Sequence, residues 1–157
     1  MEYIEIERKF LVNSDVYKTE AKTKTKIVQG FLNTDPERTI RVRIRGDKAY
    51  LTIKGKGNNS GTTRFEWENE ISITTANNLI NLCEPGVIEK IRFEISIGNH
   101  TYEVDEFLGA NKGLVIAEIE LSKEDEAFIK PVWLGDEVTG QVNYYNSQLS
   151  KKPFKDW

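Results

Sequence analysis

Two Glu-x-Glu pairs stand near opposite ends of the chain, Glu5/Glu7 and Glu118/Glu120. Between them run cation pairs with the same spacing, Arg41/Arg43, Lys54/Lys56 and Lys90/Arg92. Carboxylates are hard oxygen donors of the kind Mg²⁺ and Mn²⁺ prefer, and those ions commonly bridge carboxylates to substrate phosphates. Lys and Arg make charge-assisted hydrogen bonds to phosphate oxygens, and the Arg fork matches their geometry. Carboxylates clustered with such cations in one cavity would repel an anion unless a metal ion lay between. The combination implies a metal-bound polyphosphate. Either half alone is commonplace on strands.

A spacing of two places side chains on one face of a β-strand. Alternating runs cover residues 2–12, 26–33, 39–45, 48–55, 63–72, 87–97, 100–107 and 114–121, which makes about eight strands. Gly46-Asp47 and Gly98-Asn99 punctuate tight hairpins. The Gly55–Gly61 stretch reads as a flexible loop and lacks the Gly-Lys-Ser/Thr ending of a P-loop. Helices are fewer. Thr75 is expected to cap a helix over 76–83, and Ser122 with Asp125 resembles a capping box for 123–129. Thr139 is expected to cap a last helix to about residue 150, with Val142, Tyr145 and Leu149 at helical spacing. The tail Lys151 to Trp157 is expected to be loosely ordered.

No linker, repeat or low-complexity tract divides the chain, so residues 1–157 read as one domain. Lys and Arg number 22 against 25 Asp and Glu, a net charge of -3. That balance argues against a bulk electrostatic nucleic-acid binder, though not against a local basic cavity. The single cysteine, Cys83, excludes an intrachain disulfide and fits a reducing compartment. No apolar run approaches the ~20 residues of a membrane span. The amino end is charged from its second residue and has no secretory core. The expectation is a soluble, cytoplasmic protein with no membrane partner.

Alternation alone favours an ordinary antiparallel sheet with one wet face. Three features weigh against it. About eight strands suffice to close a barrel, which removes exposed edges. About three short helices could cover an apolar face that points outward. Like charges are grouped within strands instead of interspersed, which costs stability unless a ligand of opposite sign compensates. The sheet is therefore expected to roll up with its ionic face inside.

The opening Glu5-Ile6-Glu7-Arg8-Lys9 resembles the Glu-x-Glu-x-Lys signature of the CYTH superfamily, the triphosphate tunnel metalloenzymes. The resemblance continues through Gln29-Gly30-Phe31-Leu32, Arg41-Val42-Arg43, Lys54-Gly55-Lys56, Arg64-Phe65-Glu66, Lys90-Ile91-Arg92, Asp105 and Glu118-Ile119-Glu120, and so spans nearly the whole chain. It implies an α+β, mainly β fold: a closed eight-stranded antiparallel barrel with helices packed outside. It implies Glu5, Glu7, Asp105, Glu118 and Glu120 as ligands of Mg²⁺ or Mn²⁺. Lys9, Arg41, Arg43, Lys54, Arg64, Lys90 and Arg92 would hold phosphate oxygens, with Lys9 or Lys90 relaying a proton. Related bacterial sequences often carry Tyr where this chain has Phe31, which has no hydroxyl to contribute.

The expected activity is hydrolysis of a small triphosphate, foremost inorganic triphosphate. An adenylyl cyclase of the same superfamily and a thiamine or nucleoside triphosphatase are the alternatives. A barrel that binds a polyanion or nucleic acid without turnover is the non-enzyme reading. A homodimer is left open. The remaining candidates have plainer expectations. His100 beside a turn is expected to be exposed, Cys83 to be a small packing residue, and Phe65 and Trp67 to pack. Tyr144 and Tyr145 are expected to dock the last helix.

Overall fold

The computed structural model describes residues 3–157; Glu2, which opens the first alternating run, lies outside the described residues. The described residues form nine strands, eight of which follow the alternating runs; the short ninth falls outside them. The strands are β1 (Ile4–Val12), β2 (Thr23–Asn33), β3 (Arg38–Arg45), β4 (Lys48–Gly55), β5 (Thr63–Ile71), β6 (Ile88–Ile97), β7 (His100–Phe107), β8 (Val115–Glu120) and β9 (Leu134–Glu137). The helices are α1 (Tyr17–Glu20), α2 (Ile73–Ile80) and α3 (Asn146–Leu149).

The sheet order is β5-β4-β3-β2-β6-β7-β8-β1-β9, and β5 also pairs with β1. All pairings are antiparallel, and Ile4↔Phe65, Glu5↔Arg64 and Ile6↔Thr63 close eight strands into a barrel. The ninth strand lies along the other end of β1, with Phe10 opposite Glu137 and Val12 opposite Leu134. Hairpin turns at Gly46 and Gly98 hold φ near +61°, which a glycine adopts without steric cost.

The outward faces of the strands form two apolar clusters. Phe10, Phe93, Ile95, Tyr102, Val104, Ala117 and Ile119 pack beneath Tyr17 of α1 and the fully buried Trp133. Val42 and Ala49 pack beneath Ala76 of α2. A third cluster stands on inward-facing positions. Phe31, Ile88, Phe107 and Ile116 fill one end of the barrel, and Leu149 of α3 seals it, with Tyr144 and Phe154 packed alongside. Filling a narrow barrel with side chains is what a sheet of this size requires wherever no ligand sits.

Four local expectations are corrected. The second helix starts earlier, because Ser72 Oγ accepts the Thr75 N–H at 3.0 Å and so is the cap. Residues 123–129 form no helix. There Ser122 uses both its N–H and its hydroxyl on Glu126 Oε1, at 2.6 and 2.7 Å, which offers the backbone an alternative to a helical turn. Thr139 caps no helix either: its Oγ1 receives the Lys9 N–H at 2.9 Å, and Gly140 follows with φ +78°. Only a 3₁₀ turn over Val142–Tyr144 and the single turn of α3 remain. The tail is packed, not loose. Trp157 meets the Tyr144 and Phe154 rings edge-on at 5.2 and 5.1 Å, and the Phe154 N–H donates to Asn111 Oδ1 at 2.8 Å.

Strand β9 explains the one charge out of phase on β1. Arg8 points outward and forms a two-pronged contact with Glu137, at 2.8 and 2.6 Å. Among the described residues no helix is long and apolar enough to cross a membrane.

Candidate active site in the charged bore

The strand faces that carry paired charges converge on one cavity of about 240 Å³ inside the barrel. It is lined by Glu5, Glu7 and Lys9 of β1, Arg41 and Arg43 of β3, Lys54 of β4, Arg64 of β5, Lys90 and Arg92 of β6, and Glu118 and Glu120 of β8. Cross-strand register sets the neighbours: Glu7 stands opposite Glu120, Lys9 opposite Glu118 and Glu5 opposite Arg64. Eleven of the twelve residues expected at the site therefore share it.

Asp105 is the exception. It does not line the cavity, and it is 1 % exposed. Its two oxygens accept from Arg92 Nε and a terminal Arg92 nitrogen, both at 2.8 Å, and Lys90 Nζ sits 2.8 Å away. Burial would raise its carboxyl, but Arg92 and Lys90 outweigh burial and hold it far below the usual carboxylate range. Asp105 thus stands behind the wall and fixes two cations.

The remaining charges divide into a satisfied part and a strained part. Burial would raise Glu118, but Lys9 and Arg92 hold it down at about 2. Lys54 reaches Glu5 at 2.9 Å and Glu66 at 3.2 Å. Lys54 and Lys9 relieve Glu7 only in part. Burial pushes it well up, and the neighbouring Glu118 and Glu5 carboxylates push it further. Burial also raises Glu120, helped by Glu5, Glu66 and Glu103. On the cationic side, burial lowers Lys90 to about 8 despite Asp105, and lowers Arg43 to about 9 with help from Arg41 and Arg92.

The strained carboxylates bear on a metal ion. Among the described residues, no three acidic, His or Cys side chains are already drawn together as a ligand set. The donors are nevertheless all oxygen, and half-buried Glu5 and Glu7, with Glu120 at the more open edge, crowd together like charges that a divalent cation would neutralise. Glu5, Glu7, Glu118 and Glu120 line the cavity and fit such an ion, while Asp105 does not line it.

Several further residues line the cavity that were not expected at the site. Thr139, Gly140, Tyr145, Asn146 and Ser147 come from the strap after β9 and reach into the bore. Lys90 Nζ donates to Asn146 Oδ1 at 3.3 Å, and Lys9 Nζ lies 5.3 Å from the centre of the Tyr145 ring. Phe31 lines the cavity and joins the apolar plug. Gln29, two residues earlier, is fully buried, and neither its amide nitrogen nor its amide oxygen has a partner among the described residues. Arg45, Glu66, Glu68 and Glu103 complete the ionic lining.

Other residues lie elsewhere. Lys56, which continues the basic series, is 68 % exposed and meets Glu37 on the outside. His100 is half-buried rather than free, 2.7 Å from Glu126 Oε2. Phe65, expected to pack, is exposed, with its ring 6.0 Å from that of Tyr3. Cys83 packs at the end of α2, against Gly30.

A model of the CYTH domain matches residues 3–152. The chain belongs to the CYTH domain family. An inorganic triphosphatase from Acetivibrio thermocellus is 49 % identical over 154 residues, covering 98 % of this chain and 97 % of that protein. An inorganic triphosphatase from Nitrosomonas europaea is 34 % identical over 151 residues, covering 93 % and 96 %. A crystal structure described as an inorganic triphosphatase superposes with a TM-score of 0.65 at 32 % identity, over 93 % of each chain. The CYTH barrel is thus common to both sequence and structure comparisons, and its charged interior is the natural place to seek the chemistry.

Proposed function

We propose that this CYTH protein, acting as a single domain over residues 1–157 in the cytoplasm, hydrolyses inorganic triphosphate inside its bore. The observation that carries the reading is the convergence of paired cations and paired carboxylates on one enclosed cavity. The names of its two full-length relatives point the same way.

Phosphoryl transfer demands placement and charge neutralisation more than covalent chemistry. Arg41, Arg43, Lys54 and Arg64 form one cationic wall, while Lys90 and Arg92 form another, so a linear triphosphate can be gripped along its length. Asp105 and Asn146 fix Lys90 in place, so its charge costs no rearrangement as the leaving oxygen develops charge. Lys9 sits where β1, Glu118 and Tyr145 meet and holds an oxygen at the acidic end. Burial brings Lys90 to about 8, so it is the cation best placed to relay a proton near neutral pH. Mg²⁺ or Mn²⁺ held by Glu5, Glu7, Glu118 and Glu120 would supply positive charge against the phosphates. The plug of Phe31, Phe107, Ile116 and Leu149 keeps bulk water from that end of the bore.

A phosphate-release screen tests the reading. Inorganic triphosphate, pyrophosphate, thiamine triphosphate and nucleoside triphosphates are each incubated with Mg²⁺ or Mn²⁺ and with chelator. Release from inorganic triphosphate, lost on chelation, is expected. Cyclic AMP from ATP, or binding of oligonucleotides without any phosphate release, would contradict it.

A further inference from the structure

The Gln29 carboxamide is buried without a partner among the described residues, at a cost comparable to a lost hydrogen bond. Its surroundings call for an apolar residue. Ile88 is its partner on β6, and Phe31 lies two residues along the same face; both belong to the apolar plug. A leucine there would extend that plug.

The adjacent strand carries a complementary defect. Arg43 lies directly opposite Gln29 across β2 and β3, and directly opposed residues project from one face. The Arg43 Nε–H is buried without an acceptor among the described residues. A terminal Arg43 nitrogen donates to Glu68 Oε2 at a long 3.4 Å. That oxygen also meets Arg41 at 3.4 Å and takes the Thr52 hydroxyl at 2.7 Å. The Arg43 guanidinium is therefore loosely held, by the long Glu68 contact and the Tyr50 ring 5.9 Å away, and its Nε–H is empty. The acceptor it lacks is the one Gln29 offers.

Resting on the triphosphate reading of the bore, we propose that Gln29 is a positioning residue for Arg43. When a phosphate draws the guanidinium away from Glu68, the Gln29 amide oxygen accepts the Arg43 Nε–H. The two terminal nitrogens are then left to grip the phosphate as a fork. Glu68 serves as the resting anchor, and Gln29 as the anchor of the loaded state.

The test uses the full chain with Mg²⁺ and inorganic triphosphate as the probe. Gln29→Leu removes the acceptor at nearly constant volume, and Arg43→Lys keeps the charge but removes the Nε–H. Steady-state kinetics and the rise in Tm caused by triphosphate are read for both single variants and the double variant. The thermal readout closes the cycle even where Arg43→Lys turns over too slowly to measure. Gln29→Leu is expected to melt at or above the wild-type temperature, because it removes an unpaired buried amide. Its KM is expected to rise about tenfold with a smaller change in kcat. In the Arg43→Lys background the same change is expected to do nothing further. A wild-type KM in Gln29→Leu, or an equal loss in the Arg43→Lys background, overturns the proposal. Should Gln29→Leu fail to fold, Gln29→Met decides by the same criteria. Wild-type protein that neither binds nor hydrolyses triphosphate removes the substrate reading itself. Normal wild-type turnover with unaltered Gln29 variants removes only the role of Gln29.

Discussion

Replacing Asp105 by Asn separates the two roles this residue could have. The carboxylate sits 2.8 Å from Lys90 and accepts two 2.8 Å bonds from Arg92, and both Asp105 and Lys90 are 1 % exposed. Breaking a buried ion pair by removing one partner costs about 3–5 kcal/mol, because the surviving charge stays buried. Asn keeps one acceptor oxygen, so the lower end, about 3 kcal/mol, applies. For a chain of this size each kcal/mol moves Tm by roughly 2–4 °C, so a fall of roughly 6–12 °C is expected. The pH dependence has a definite sign. Asp105 has a folded pKa depressed below its unfolded value of about 3.9, so its stabilisation is fully present above that value. It is lost as pH falls toward the folded pKa. The gap between wild type and Asp105→Asn is therefore expected to be present at about pH 5 and to narrow below about pH 4. Calorimetry in the presence of chelator measures it. A Tm within about 2 °C of wild type, with a sharply increased Mg²⁺ requirement, would refute this reasoning and return Asp105 to the metal ligands.

Glu7→Gln should act in the opposite sense on stability. Its folded pKa is raised by burial and by Glu118 and Glu5, so its favourable contribution is full below about pH 4 and lost as pH rises through the folded pKa. Without divalent cation, the variant should melt above wild type at pH 7 and match it near pH 4. Its phosphate release should fall at least about 100-fold, which a kinetic assay checks. Leu149→Ala removes the side chain that seals the plug and should cost about 2–5 kcal/mol in denaturant unfolding. Gly140→Ala places a Cβ 2.8 Å from Ser60 O at φ +78°. It should lower Tm and raise KM for triphosphate as the strap shifts, both read in one set of protein preparations.

The barrel was legible because its determinants are local. Each strand states its face in two-residue steps, and the sorting of like charges onto one face distinguishes an interior from a wet exterior. Arg41, Arg43, Lys90 and Glu120 land in the bore for that reason. Asp105 shares their parity and still misses the cavity, because depth along the bore and competition from Lys90 and Arg92 are three-dimensional properties. The strap after β9 was not legible either. Leu134-Gly135-Asp136-Glu137 shows no alternation, and Val142, Tyr145 and Leu149 mimic a helical stripe. In the folded chain Thr139 is claimed by the β1 backbone and Gly140 by a backbone contact with Ser60. Tertiary contacts there override the local pattern.

A crystal structure of the Glu118→Gln protein soaked with inorganic triphosphate and Mg²⁺ addresses the central claim most directly. Density for the triphosphate is expected inside the barrel, between Arg41 and Arg43 on one side and Lys90 and Arg92 on the other. A triphosphate bound only on the outer surface, with the bore side chains undisturbed, would contradict it.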